Sequence, residues 1–270
     1  MKSVLTILGA RGTMPVSGRP FLKYGGHTTC FCLTTRHGKV IIDAGTGLAL
    51  LGENAREQTQ PATLLFTHFH LDHVIGLPFF RRLYNPAASL RIMADSSRPD
   101  KWRASLANLI RPPYWPLRWK DLPCAVEMQD LPRVKKCLSI YGARISWCRV
   151  IHPQGCLAYR IDAASGSAAI VTDHEQGALP HAPGLLALCR GCDSLIYDAQ
   201  YLPGEIEAHR GWGHGTWREA VALARAAGAG ELILTHHDVG RRDEEIDRMV
   251  GKARRHFKNT RAAHSGMALF

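Results

Sequence analysis

No apolar run in this chain approaches the roughly 18 residues that a membrane-crossing helix needs, so a spanning segment is not expected. The start, Met1-Lys-Ser-Val-Leu-Thr-Ile-Leu-Gly-Ala-Arg-Gly12, has no small-residue cleavage pattern and reads as a first strand, not a targeting peptide. Internal repeats, low-complexity tracts and linkers are also missing, so residues 1–270 read as one domain. The eight cysteines offer no second C-x-x-C to partner Cys189-Arg-Gly-Cys192, which argues against a zinc ribbon. Cys30 and Cys32 share one strand face, as small buried hydrophobes do. Free structural thiols are expected, and with them a reducing cytoplasm.

Acidic residues are comparatively scarce. Lys and Arg total 34 against 23 Asp and Glu, a net charge of +11. A basic surface steers anionic ligands inward. The cations are dispersed, with modest clusters at Arg98–Arg103, Arg133–Lys136 and Arg241–Arg261, and the last is interleaved with Asp243, Glu244, Glu245 and Asp247. Such a balance fits a phosphate-bearing substrate without requiring one.

What the chain does have is concentrated between residues 63 and 80. The apolar run Leu64-Leu65-Phe66 reads as a buried strand that delivers the chain into His68, His70, Asp72 and His73. Three imidazoles and a carboxylate within six residues form a dense N/O ligand set. Zn²⁺ takes such ligands, with Mn²⁺ or Fe²⁺ as competitors. A solvated histidine-rich loop would lack the core-type sequence that flanks this one on both sides.

Further metal-competent residues follow apolar strands: His152, Asp173, Asp198 and His236. Strand ends converge on one rim of a sheet, so these groups can meet despite their separation in sequence. Elsewhere, strands are expected at 3–8, 30–35, 39–43, 89–93, 143–150, 156–162, 167–172, 194–198, 231–235 and 265–269. Helices are expected at 47–57, 74–84, 100–110, 184–190, 216–227 and 243–256. Prolines make about 95–135 the irregular part, an insertion in which Arg111–Trp119 is either a wall over the site or a loop pinned by its tryptophans. Strands in runs, then alternating with helices, give an α/β (α+β) chain with sheets packed face to face and helices outside.

These residues resemble the metallo-β-lactamase superfamily of metallohydrolases over nearly the whole chain. The carriers are T-H-x-H-x-D-H at 67–73, Asp43 in Ile-Asp-Ala-Gly, His152 in His-Pro-x-Gly, Asp173 in Val-Thr-Asp and His236 in Leu-Thr-His. The resemblance implies a four-layer αβ/βα sandwich with two divalent metals. His68, His70 and His152 would hold one; Asp72, His73 and His236 would hold the other, with Asp173 bridging. A narrower likeness joins Trp212-Gly-His214-Gly-Thr216 and Tyr197-Asp198 to ribonuclease Z-like and class II cyclic-nucleotide phosphodiesterase-like bacterial hydrolases. It makes Asp72, His214 and Asp198 the catalytic candidates.

Departures are visible. Gly215 replaces a serine, Asp198 is shorter than a glutamate, His27 stands at an asparagine position, and no glycine-rich tRNA-gripping arm is seen. His174 and His237, each beside a proposed ligand, are expected outside the ligand set.

The implied chemistry is phosphodiester hydrolysis. Two metals about 3.5–4 Å apart would share a bridging hydroxide, and His214, positioned by Asp198, would protonate the leaving oxygen. The alternatives are a lactone or thioester hydrolase of the same fold, a tRNA 3′-processing-like endonuclease, and a metal-dependent binding or sensing protein. The expected partner is a small-molecule or nucleotide phosphodiester. Nucleic acid ranks below it, a membrane is not expected, and a homodimer stays open.

Overall fold

Strands buried on both faces are mostly apolar, and two of them organise this molecule. They are β3 (Gly38–Ile42) and β4 (Ala62–Leu65), parallel neighbours with every residue buried. The computed structural model describes residues 2–52, 54–95, 99–179, 182 and 184–270; Arg98 of the first basic cluster lies outside them.

Around β3 and β4, β1 (Val4–Gly9), β2 (Cys30–Thr35), β5 (Ser89–Ala94), β6 (Ala125–Asp130) and β14 (Met267–Ala268) complete a sheet in the order β14-β1-β2-β3-β4-β5-β6. A second sheet runs β13 (Thr260–Ala262), β12 (Glu231–Thr235), β11 (Ser194–Asp198), β10 (Gly166–Val171), β9 (Cys156–Ala163), β8 (Ala143–Val150), β7 (Cys137–Ile140). In each sheet four consecutive strands are parallel, β3 to β6 and β10 to β13. Their C-terminal ends lie on one rim, where binding groups gather in parallel sheets.

The period-2 alternation assigns each face. Leu5, Ile7, Phe31, Leu33, Val40, Ile42 and Leu65 meet Ile145, Trp147, Tyr159, Ile161, Ile170, Ile196 and Ile233 between the sheets. Their alternates, among them Cys30, Cys32, Ile41 and Leu64, face an outer layer that includes α3 (Pro99–Leu109). On the other side α4 (Leu185–Cys189), α5 (Trp217–Ala227) and α6 (Asp243–Arg254) cover Val171, Leu195, Tyr197 and Leu232. The result is the four-layer αβ/βα sandwich. Each fully buried Leu or Ile stabilises by about 1.5–3 kcal/mol, the scale on which a rim can carry strained residues.

Local differences have local causes. The helix expected at 47–57 is a 3-10 segment, Thr46–Leu51, closed by Gly52 in the left-handed region (φ 51°), before a single turn α1 (Ala55–Gln58). The one expected at 74–84 begins earlier as α2 (Leu71–Val74); Pro78 then removes a backbone donor, and 3-10 turns at Leu77–Phe79 and Arg81–Tyr84 follow. Strands β6, β7 and β13 were not expected. The first two are half-exposed pieces at the sheet margins, and the last is three residues long. Trp115 and Trp119 pin the 111–119 loop onto the outer layer, Trp115 lying edge-on to Phe79 at 5.1 Å. The wall beside His68 comes instead from Lys101, Trp102 and Ser105 of α3. All eight cysteines are free thiols, seven of them buried. Burial pushes the Cys30, Cys156 and Cys189 thiols well above their ordinary range, which keeps them poor nucleophiles.

Candidate metal centre

The site is built outward from Asp43, buried where β3 ends in a left-handed backbone (φ 61°). Its carboxylate accepts the Thr67 N–H and Oγ–H, each at 2.8 Å, and the His73 Nδ1–H at 2.8 Å. Because the Thr67 hydroxyl donates to Asp43, it can only accept from His68 Nδ1, 3.0 Å away. Two histidines are thereby fixed in the same sense, with Nδ1–H outward and the Nε2 lone pair inward. The single turn of α2 then places Asp72 beside His73.

The second sheet uses the same device. His152 Nδ1 donates to the Gly213 carbonyl (2.8 Å) and His236 Nδ1 to Gln200 Oε1 (2.8 Å), so both turn Nε2 inward. For His70 the outward donor is Nε2, 3.2 Å from Gln154 Oε1, and Nδ1 is the inward atom. Asp173 (φ 57°) and His236 (φ 58°), just beyond β10 and β12, share the left-handed backbone of Asp43. At a non-glycine residue this costs on the order of 1–3 kcal/mol, and it turns the side chain out of the strand into the gap between the sheets.

The inward atoms form two groups around Asp173. Its Oδ1 lies 3.8 Å from His68 Nε2 and 3.8 Å from His152 Nε2, and His70 Nδ1 is 3.0 Å from His152 Nε2. Its Oδ2 lies 3.2 Å from His73 Nε2 and 3.4 Å from His236 Nε2. Asp72 Oδ2 sits 3.4 Å from His73 Nε2 and 3.2 Å from His236 Nε2. Two triads, His68/His70/His152 and Asp72/His73/His236, each bring their ligand atoms within 4.8 Å of one another.

Every outward ring nitrogen has an acceptor, so neutral rings turn lone pairs inward beside the Asp72 and Asp173 oxygens, which the Thr13 N–H and the Thr172 hydroxyl reach as donors. The Nε2 atoms of His68 and His73 are buried and make no hydrogen bond. Such a nest of acceptors at buried sites is costly unless cations fill it. The donor set fits divalent metal ions, N- and O-rich as zinc and its neighbours take.

Without a metal the same crowding divides the protons. Burial opposes charge on His73, but Asp72, Asp173 and Asp43 outweigh it and hold its pKa well above the usual value. His236 behaves alike and rises to about 9, with Asp173 as the main opposing cause. Burial wins at His68, which falls well below the ordinary range, and at His152, which falls to about 4. Burial also opposes charge on Asp173 and Asp72, yet the facing histidines, His236 foremost for Asp173 and His73 for Asp72, keep both below the normal carboxylate range.

Beside the triads, His214 Nδ1 is 2.9 Å from Asp198 Oδ2, and its ring stacks on that of His236 at 5.0 Å. Asp198 is fully buried, whereas the His214 side chain keeps 11% of its surface. An orienting carboxylate behind a histidine that still touches solvent is the geometry of a proton-transfer pair. All of the sequence-predicted site residues therefore meet on one rim. His174 and His237 lie buried outside the ligand groups, bonded to Ile151 N–H and the Ala263 carbonyl. No ligand group includes His27 among the described residues.

Several contributors were not anticipated. The Thr13 N–H holds Asp72 Oδ2 at 2.8 Å, and a Cβ on Gly12 would meet His236 Nδ1 at 2.3 Å. The Glu175 carboxylate accepts the N–H groups of Gly211 (2.9 Å) and Gly213 (2.6 Å), clamping the loop that carries His214. Gly213 has φ 88°, and a Cβ there would lie 2.0 Å from His152 Nδ1. The glycines at 9–12 and 211–215 were the available signal; Gln200 and Glu175 gave none.

A family model described as the beta-lactamase superfamily domain matches residues 39–237. A ribonuclease Z from Bradyrhizobium sp. (strain ORS 278) is 26% identical over 274 residues, covering 83% of this chain and 87% of that protein. The metallo-beta-lactamase fold protein YhfI from Bacillus subtilis is 18% identical, with a TM-score of 0.75 over 100% of this chain and 99% of its own. A structure described as a new diphosphatase from the PhnP family is 22% identical, with a TM-score of 0.73 over 100% of this chain and 98% of its own. The two structures share the fold.

Proposed function

The chain belongs to the beta-lactamase superfamily, and on that premise we propose that it hydrolyses phosphodiesters with two divalent metal ions, zinc being the best match to the donors. The observation that carries the two-ion reading is Asp173, whose Oδ1 and Oδ2 each face a different triad. His68, His70 and His152 would hold one ion and Asp72, His73 and His236 the other, with Asp173 between the two groups. When bound, such a pair supplies Lewis-acid charge and lowers the pKa of a water towards neutrality.

The chain's own groups do the rest. Thr13 N–H fixes Asp72, which orients the attacking water besides serving as a ligand. His214, its Nδ1–H held by Asp198, keeps Nε2 for delivering a proton to the departing oxygen. Asp43, Gln154, Gln200 and the Gly213 carbonyl hold the ligand rings in one tautomer, so no reorientation is needed before binding. The net charge of +11 favours an anionic substrate. A relative named ribonuclease Z and a neighbour described as a diphosphatase support phosphate chemistry over lactone or thioester hydrolysis.

The whole chain acts as one domain, and a cytoplasmic setting suits its eight cysteine thiols. Among the described residues no helix is long and apolar enough to cross a membrane.

The test is His214→Ala assayed on bis(p-nitrophenyl) phosphate. Metal content should stay intact while kcat falls by about tenfold or more. Unchanged turnover would remove His214 from the mechanism, and hydrolysis of lactones or thioesters alone would remove the phosphodiester. A second reading, cleavage of 3′-extended tRNA, is favoured by the ribonuclease Z relative and is tested on that substrate directly.

A further inference from the structure

A groove leaves the site on the side of His68. Its near part, a cavity of about 230 Å³, is bounded by His68, Gln154, Lys101 and Trp102. Its far part, about 370 Å³, has Arg133, Lys136 and Arg149 around Trp147 and Leu157. Asp95 lines both, so the two cavities adjoin along the rim.

Topology fixes its direction. In the second sheet Asp173 follows β10, with Asp198 and its partner His214 on the β11 side. Leu157 belongs to β9 and Arg149 to β8, and Lys136 directly precedes β7, so the groove runs the opposite way from His214. In the first sheet Asp95 follows β5 and Leu131 follows β6, the same outward direction.

Its charge is one-sided. Among the described residues, Lys101, Arg133, Lys136 and Arg149 line the channel with one carboxylate, Asp95, which is ion-paired with Arg149. Lys101, Arg133 and Lys136 are exposed, and the floor is apolar, Trp147 and Leu157 being buried. A cleft with an apolar floor and a cationic rim beside a hydrolytic centre suits an anionic extension of the substrate.

We propose that this groove receives the arm of the substrate that points away from His214, and that Lys136 and Arg133 hold a second phosphate on that arm. The preferred substrate is then a diester bearing an additional phosphate, such as a terminally phosphorylated dinucleotide. The assignment rests on the phosphodiesterase reading above and names its substrate class.

The experiment compares three substrates on the metal-loaded protein: bis(p-nitrophenyl) phosphate, the dinucleotide dTpdT, and dTpdT carrying a 5′- or 3′-terminal phosphate. The wild type should show a KM for one phosphorylated dinucleotide about fivefold or more below that for dTpdT, a preference weakening as salt rises. Lys136→Glu combined with Arg133→Glu should abolish that preference while leaving kcat on bis(p-nitrophenyl) phosphate within about twofold, and Lys136→Arg alone should retain it. A wild type that cleaves the diesters without preferring a terminal phosphate, or a preference that survives the double substitution, overturns the groove assignment alone. Failure of the wild type to cleave any of the diesters overturns the phosphodiesterase reading and the groove assignment with it.

Discussion

The two sheets supply the site in different ways. From the first come four proposed ligands, His68, His70, Asp72 and His73, within one short loop anchored by Asp43 and Thr67. The second gives one group per strand end, and its proposed ligands take partners from different loops: the Gly213 carbonyl for His152 and Gln200 for His236, while Glu175 clamps the loop that carries both Gly213 and His214. Ligands in one turn are positioned together by a single buried carboxylate. Scattered ligands need a hydrogen-bonded partner apiece, so damage on the second sheet should stay local whereas damage at Asp43 should spread.

The largest effect is expected where the halves meet. Asp173→Ala should abolish diester turnover, by about a thousandfold or more, and lower the affinity of both ions, since each triad loses an oxygen. Loss of a single ion, read by metal analysis, would show that Asp173 serves one half only. Asp43→Asn should come next. It removes the acceptor of His73 Nδ1 and unsettles Thr67 and His68, and metal affinity should fall by about 10–100-fold with ligands in both triads affected. Glu175→Gln should be milder: the Gly211 and Gly213 N–H groups lose a charged acceptor, kcat should fall by about fivefold, and metal content should hold. Equal losses of metal in Asp43→Asn and Glu175→Gln would erase the contrast between the sheets.

The smallest prediction concerns the scaffold of the second half. Glu219, on α5, accepts the Gly177 N–H at 2.8 Å and the Tyr197 hydroxyl at 3.3 Å. Burial raises its pKa to about 7 from an ordinary 4.5. The unfolded chain therefore ionises it first, so stability drains away as pH rises from about 4.5 through 7 and stays lower above. Glu219→Gln should raise Tm by about 2–4 °C at pH 8 and leave it nearly unchanged at pH 4. A gain of the same size at both values would mean that ionisation of Glu219 carries no cost.

The contrast also explains what the sequence disclosed. A motif such as T-H-x-H-x-D-H is contiguous because one turn after one strand positions it, and the strand before it is mostly apolar because it is buried on both faces. His152, Asp173, Asp198 and His236 were legible because each ends an apolar strand. Glu175 and Gln200 were not: they act through hydrogen bonds to distant backbone and side-chain atoms, and a sequence pattern carries no trace of such pairings. Strand β6 was missed since Ala125–Asp130 lies at the sheet edge, half-exposed, without the apolar run that marked its neighbours. The 74–84 helix failed because Pro78 lies inside its apolar pattern, and the backbone answered with 3-10 turns.

Metal stoichiometry separates a two-ion site from a one-ion site. After reconstitution with zinc and removal of free ion, elemental analysis should find two ions per wild-type chain. One ion per chain, or none, would contradict a site in which the two oxygens of Asp173 serve separate triads.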